Sequence, residues 1–377
     1  MDDYVDWMQE RSFNLIPEIE VSTRTVSGLG VISKKSISKD TTVGRIPADA
    51  ILCYQNSDLR SIIEEHIETL VTEDSGDWVP LALSFIRELY FQPDSAWKPY
   101  LATLPAPTTK WLPFHWTEDE LETLSGTDLL GDIRDNQQRI AATYATVVQP
   151  FTASHTDFFP KPVTLPMFQH ACYIIMSYSF THESWGTVLA PFGDTFNHKT
   201  AGNTVSVTQA GDGFDVVACA DIGAGQELWN TYGDLDTANL LMKYGFVEKE
   251  TNPFDIVRVT GDQLAEACPQ VADADPEFLE EYLELTDGVD LGDIDLPIHY
   301  DPAADAIYAE EILVLLGSAL GMDEISPDWP PEEPRIREAC GKLLELRLGQ
   351  LGSPRGRGAA IVECERRVLD MAKRQLM

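Results

Sequence analysis

The sequence predicts an α+β fold in which a β unit is interrupted by a helical insertion, resumes, and gives way to an all-α C-terminal domain. Three observations predict it. Short β-like runs punctuated by glycine lie both before residue 55 and between about 186 and 232. Between them, from about 57 to 180, apolar residues recur at three- and four-residue spacing. After about 258 every apolar pattern reads as helical.

The elements follow in order. A short amphipathic helix is expected over 4–14, with Tyr4, Trp7, Met8 and Phe13 on one face. The runs GLGVIS, TTVGRIP and AILCY then read as a hairpin-rich β unit. Helical patterns follow at LRSIIEEHIETLV and WVPLALSFIRELYF, then a patch carrying Pro99, Pro105, Pro107 and Pro113. A long helical pattern spans roughly 128–158, and another helix starts near 165. The returning β runs are GTVLAPF, NTVSVTQ, FDVVACA and GQELWNTY, with Gly-containing turns at Gly211, Gly213, Gly223 and Gly225. A short helix ends at Gly245, a residue type suited to the left-handed position after a helix C-terminus.

Charge divides the chain at nearly the same places. The net charge is −35, with 62 Asp and Glu against 27 Lys and Arg. Residues 259–334 hold 21 acidic residues and no Lys or Arg, whereas 335–377 hold 10 basic and 5 acidic. Such a balance argues against direct binding to nucleic acid or anionic membrane, because phosphates repel it, and favours a basic partner. The acidic tract reads equally as a solvated helical surface or as a docking face for a basic protein. An apolar content of 44% excludes a disordered chain. No apolar run approaches the ~20 residues of a membrane span, and the acidic N-terminus does not resemble a signal peptide. The six cysteines are far apart, which argues against a compact zinc motif and fits a reducing compartment, so no metal is expected. Cytoplasmic or nuclear location and a monomeric state are the expectations.

Three segments could carry chemistry. Gly28-Leu29-Gly30 precedes a strand and permits close approach of a ligand to backbone, although such a pair of glycines is common. Asp194, Asn197 and His198 crowd into five positions at the end of a β run, as a polar ligand site or an ordinary Asx-turn loop. Tyr232 and, twelve residues on, Tyr244 with Phe246 supply amphipathic rings, which read on their own as core aromatics. His170 reads as a satisfied core histidine, and Ser184 lacks a G-x-S-x-G context.

Taken in order, these segments resemble the SET-domain protein-lysine methyltransferases of the Rubisco large-subunit methyltransferase type. GLGV, then Asn197-His198 after a helical insertion, then NTYG and YGFV before a helical tail, follow that pattern. The stretch Trp97-Lys98-Pro99-Tyr100-Leu101-Ala102-Thr103-Leu104-Pro105 is close to the group's WxPYLxxLP signature. The Trp116–Thr127 stretch and Ser177-Tyr178-Ser179-Phe180 match further elements.

The resemblance implies a SET β-fold with a pseudoknot, its N-terminal part at 20–55, a helical insert at 56–165, its C-terminal part at 166–258, and a helical substrate-binding domain at 259–377. It implies S-adenosyl-L-methionine as cofactor. Gly28, Leu29, Gly30, Asn197, His198, Tyr232, Tyr244 and Phe246 would then contact the cofactor, and Tyr232 would be the catalytic tyrosine. Ser177, Tyr178, Asp194 and Tyr244 would lie towards the substrate. Tyr178 stands where the Rubisco enzymes have arginine, and the zinc cluster that follows many histone-directed SET domains is missing. The missing cluster means that no zinc is expected, and Tyr178 points away from the Rubisco substrates to the subgroup that includes nuclear and ribosomal-protein enzymes; the expected basic partner is a ribosomal protein or translation factor, or else a histone-like protein. The alternatives are an inactive SET-fold module that holds a basic protein, against which intact Asn197, His198 and Tyr232 argue, and a small-molecule amine methyltransferase.

Overall fold

The computed structural model describes residues 2–72, 76–273, 294–322 and 326–377. The chain divides into two compact units. The first comprises residues 1–110 and 136–234, the second 111–135 and 235–377.

The first unit is built from small sheets rather than one large one. A four-stranded antiparallel sheet runs Asn14–Leu15, Thr42–Ile46, Gly213–Ala218, Val205–Ala210 in spatial order. Its strands come from both sides of the helical insertion, so the β unit closes only when the chain returns. Burial alternates along Gly213–Ala218, where Phe214, Val216 and Ala218 are buried; in Thr42–Ile46, where the register shifts between Thr42 and Gly44, Val43 and Ile46 are both buried. Ile19–Thr25 and Gly28–Ser33 form a hairpin, and Ser179–His182 pairs with Gly186–Leu189. AILCY forms no strand; it contributes a single bridge, Leu52 to Leu189.

The N-terminal helix is Asp2–Glu10, burying Tyr4, Trp7 and Met8. Within the insertion, Val79–Ile86 is buried on every face, and Leu165–Tyr178 packs against it. The expected core role of His170 is met: its Nδ1 pairs with the Tyr90 hydroxyl at 2.9 Å and its Nε2 with the Pro105 carbonyl at 2.9 Å.

The second unit has its own core, formed by Val257, Leu264, Leu296, Ile298, Leu313, Leu344, Val368 and Leu369 among others. Here the all-helical reading of the tail is corrected. Ile256–Thr260, Asp295–Asp301 and Ala306–Tyr308 form a three-stranded antiparallel sheet. The physical reason is a period of two, with Val257 and Val259, then Leu296 and Ile298, buried on one face. Arg258, Pro297 and the surrounding acids hide that alternation. Helices Glu310–Ala319, Pro334–Gln350 and Ala359–Leu376 complete the unit. Helix Thr237–Tyr244 ends as expected at Gly245, whose φ is +82°. A side chain there would meet the Trp111 carbonyl oxygen at 2.1 Å, so only glycine fits.

Candidate active site

Three distant pieces of the first unit converge on one place. The Gly28–Ser33 strand is flanked by the 226–228 segment, with Leu228 N–H donating to the Val31 carbonyl at 2.8 Å and Ser33 N–H to the Gln226 carbonyl at 2.8 Å. That segment continues into Trp229–Asn230, which pairs in parallel with Asn197–His198. Parallel partners need a long crossover; here the intervening stretch, which includes the Val205–Ala210 and Gly213–Ala218 strands, supplies it, and the pairing sets the NH pair beside the approach to Tyr232.

Asn197 is the tie between pieces. Its side-chain nitrogen donates to the Glu227 carboxylate at 2.7 Å, the Leu29 carbonyl at 3.0 Å and the Thr25 hydroxyl at 3.3 Å. The Thr25 hydroxyl donates in turn to the Gly28 carbonyl at 2.7 Å. The amide end of Asn197 therefore shapes the Gly28–Gly30 turn. Gly30 is required by this closeness: a Cβ there would lie 2.7 Å from Thr25 Cγ2 and 2.9 Å from Asn197 Nδ2. Gly28 is different. Its φ is +96° and the space a side chain would take is open, so backbone is left accessible to a ligand.

His198 is buried and fully engaged. Its Nδ1 accepts from the Tyr232 backbone N–H at 2.9 Å, which puts its proton on Nε2, facing the Thr200 hydroxyl at 3.1 Å. The two rings lie 5.0 Å apart. The Tyr232 hydroxyl donates to the Phe196 carbonyl at 3.0 Å. Tyr232 is thus fixed at both ends by the Phe196–His198 segment.

Asp194 sits two residues before Phe196, at the end of a turn whose Phe192 has a φ of +74° and is wholly buried. Its carboxylate accepts from the Tyr100 hydroxyl at 2.6 Å. Part of the residue touches solvent, but the carboxyl lies among Tyr4, Tyr100 and Tyr178, and loss of water pushes its pKa up to about 7. Burial first, and then the Asp194 charge, push Tyr178 up to about 12. Ser177 and Tyr178 close helix Leu165–Tyr178, both half-buried. Tyr244 and Phe246 belong to the second unit, where their rings are 6.4 Å apart and half-buried.

The structure brings Gly28, Leu29, Gly30, Asn197, His198 and Tyr232 into one bonded set, and Asp194 with Tyr178 into another beside it. Sequence reasoning missed Glu227, Thr25, Tyr4 and Tyr100. Only Tyr100 carried a signal, as the tyrosine of the WxPYLxxLP stretch.

The sequence model for the SET domain matches residues 28–233, more than half of the chain. The chain belongs to the SET-domain family. Its similarity extends to the N-lysine methyltransferase setd6 of Xenopus laevis, 28% identical over 297 residues, covering 74% of this chain and 64% of that protein. The SETD6 N-lysine methyltransferase of Mus musculus is 28% identical over 264 residues, covering 67% of this chain and 55% of that protein. The chain thus spans less than two thirds of the length of these relatives. Among solved structures, the SET domain of LSMT bound to lysine and AdoHcy superposes with a TM-score of 0.75 at 20% identity, covering 100% of this chain and 90% of the other. Rubisco LSMT bound to AdoMet superposes with a TM-score of 0.68 at 18% identity, covering 100% and 91%. These likenesses establish the SET fold, and the Asn197–His198 and Trp229–Asn230 pairing lies within the matched SET domain.

Proposed function

We propose that this SET-domain protein is an S-adenosylmethionine-dependent protein-lysine N-methyltransferase. The observation that carries the reading is the convergence of the Gly28–Gly30 turn, the Asn197–His198 pair and Tyr232 through hydrogen bonds between side chains and backbone. The naming of the similar setd6 proteins as N-lysine methyltransferases supports it.

The residues present fit the cofactor. It has a zwitterionic amino-acid end and a sulfonium, and the open space where a Gly28 side chain would stand lets it approach the backbone of the turn closely. The Gly28–Gly30 turn and the Asn197–His198 strand would hold it; Tyr244 and Phe246 are proposed as further aromatic contacts, a surface that suits cations. When bound, S-adenosylmethionine supplies an electrophilic methyl group.

The chain's own task is alignment. In-line displacement at a methyl group depends on holding the reacting atoms in register. Because the Tyr232 hydroxyl spends its one proton on the Phe196 carbonyl, it meets a reactant through its oxygen lone pairs, which suits weak CH···O contacts. His198 is engaged at both ring nitrogens, so it positions Tyr232 and does not take a proton. The lysine must shed its proton before it attacks; a nearby positive charge and an apolar channel both favour the neutral amine. Ser177, Tyr178 and Asp194 are proposed to lie towards that substrate.

The substrate is proposed to be a basic protein, first of all a ribosomal protein or translation factor, met in the cytoplasm or nucleus. Residues 56–165 would act as the helical insert of the SET domain and 259–377 as the substrate-binding domain. Most of the acidic stretch between Asp273 and Asp305 lies outside the described residues; the charge of 259–334 is what supports a basic partner. The test is radiolabelled methyl transfer onto a hypomethylated whole-cell extract from a strain lacking the gene, with the labelled band and lysine identified by mass spectrometry. Tyr232→Phe is expected to keep its circular dichroism spectrum and lose transfer by about 100-fold or more. Transfer at the wild-type rate by this variant would overturn the role of Tyr232.

A further inference from the structure

The turn that leads into the Asn197–His198 strand is strained and buried, and two tyrosines from remote parts of the chain hold it. Phe192 is a bulky residue at φ +74° and ψ −43°, a strained backbone state that persists only where surroundings enforce it. Its backbone N–H donates to the Tyr4 hydroxyl oxygen at 2.7 Å, and Thr195 also reaches Tyr4. Its ring packs against Gly44, where a side chain would come within 2.6 Å of it, and edge-on to Phe196 at 5.0 Å. Two residues on, the Asp194 carboxylate is held by the Tyr100 hydroxyl. Tyr4 is 1% exposed and Tyr100 not at all, and their rings are 6.4 Å apart. The next residues are Phe196, whose carbonyl takes the Tyr232 hydroxyl, and His198, whose ring takes the Tyr232 N–H.

We propose that Tyr4, Tyr100 and Asp194 form a buried clamp on the Phe192–Thr195 turn that sets the place of Phe196–His198 and, through it, of the Tyr232 hydroxyl. Tyr4 and Tyr100 are positioning residues, acting on the reaction through Tyr232. The kinetic part rests on the methyltransferase reading; the structural part does not. The clamp explains why the Tyr4 and Tyr100 hydroxyls are buried and aimed at one loop, where phenylalanine would fill the same space.

The test uses the full chain with Tyr4→Phe and Tyr100→Phe, and Tyr90→Phe as control, since the Tyr90 hydroxyl pairs with His170 instead. Hydrogen exchange by mass spectrometry is read without ligand, then kcat and cofactor affinity. Tyr4→Phe and Tyr100→Phe are expected to speed exchange about 10-fold or more at Phe192–His198 and at Tyr232 and to leave the Val205–Ala218 strands unchanged. They should lower kcat about 10- to 100-fold while the Kd for S-adenosylmethionine moves less than about 3-fold. Tyr90→Phe should do neither. Unchanged exchange at 192–198 in both variants overturns the clamp, as does a uniform rise across the first unit, the mark of a merely structural role. If the wild-type protein neither binds S-adenosylmethionine nor transfers methyl groups, the methyltransferase reading fails while the exchange result still decides the clamp. Should one variant not fold, the other carries the same readouts.

Discussion

The two units bury acidic side chains in opposite ways. In the second unit, Arg347 is 2% exposed and bonds to Asp128 at 2.7 Å and Glu365 at 3.1 Å, with further bonds to the carbonyls of Gly126 at 2.9 Å and Arg258 at 3.2 Å. Arg258 reaches Asp132 and, at 3.5 Å, Asp295, and Arg367 reaches Asp255. In the first unit, Asp194 is met by the Tyr100 hydroxyl, and among the described residues no ion pair reaches it. Arginine-clamped acids tie helices and strands together. Burial raises both kinds of acid, Asp194 to about 7 and Glu365 to about 8, and only the second has a cation beside it. The contrast therefore lies in the partner that holds each buried acid, a hydroxyl in one unit and an arginine in the other.

The largest effect expected from this contrast is at Arg347. Arg347→Met strands Asp128 and Glu365 in a buried place, which costs about 3–5 kcal/mol. Urea unfolding measures it, and a loss below about 1 kcal/mol would show that the network is not a scaffold. Asp194→Asn should go the other way and depend on pH. Its carboxyl is raised from the ordinary 3.8 to about 7, so the folded chain holds a proton that the unfolded chain has released. Stability from this group is complete below the unfolded value and is lost as pH rises through the folded one. The variant should gain about 1–3 kcal/mol over wild type at pH 8 relative to pH 4. A difference that stays flat with pH would place Asp194 in a wetter setting than the structure shows.

Glu365 sharpens the comparison further. Burial and the neighbouring Asp128 charge raise its pKa, while Arg347 pulls it back. Glu365→Gln should therefore flatten the decline in stability between about pH 5 and 8, with the sign seen at Asp194 and a comparable amplitude, since burial outweighs Arg347 and leaves the carboxyl at about 8. The smallest effect is at the surface. Lys373 pairs with Glu345 at 3.2 Å with both side chains exposed, so Lys373→Ala should shift stability by less than about 1 kcal/mol. A larger loss there would break the distinction between buried and exposed pairs.

Much of the site was legible in the sequence because it is made of residues with few other uses. Glycine pairs, an Asn-His pair and an isolated Tyr-Gly stand out against short β runs, and their order resembled the SET pattern before any geometry was known. The bonds that join them were not legible. Asn197 reaches Thr25, Leu29 and Glu227, positions up to 172 residues away. Tyr4 lies 188 residues from the Phe192 N–H it accepts from, and its place on a helical apolar face reads only as core. The sheet in the second unit was missed for a different reason. Its strands alternate over four or five residues, too briefly to outweigh the helical periodicity on both sides.

The central claim is that the Gly28–Gly30 turn, Asn197–His198 and Tyr232 form one cofactor site. Isothermal titration calorimetry of the folded chain with S-adenosylmethionine tests it most directly, beside Gly30→Ala, whose methyl would collide with Thr25 and Asn197. The account predicts one site per chain and a loss of affinity of about 10-fold or more in the variant. Absence of binding by well-folded protein, or equal binding by Gly30→Ala, would contradict it.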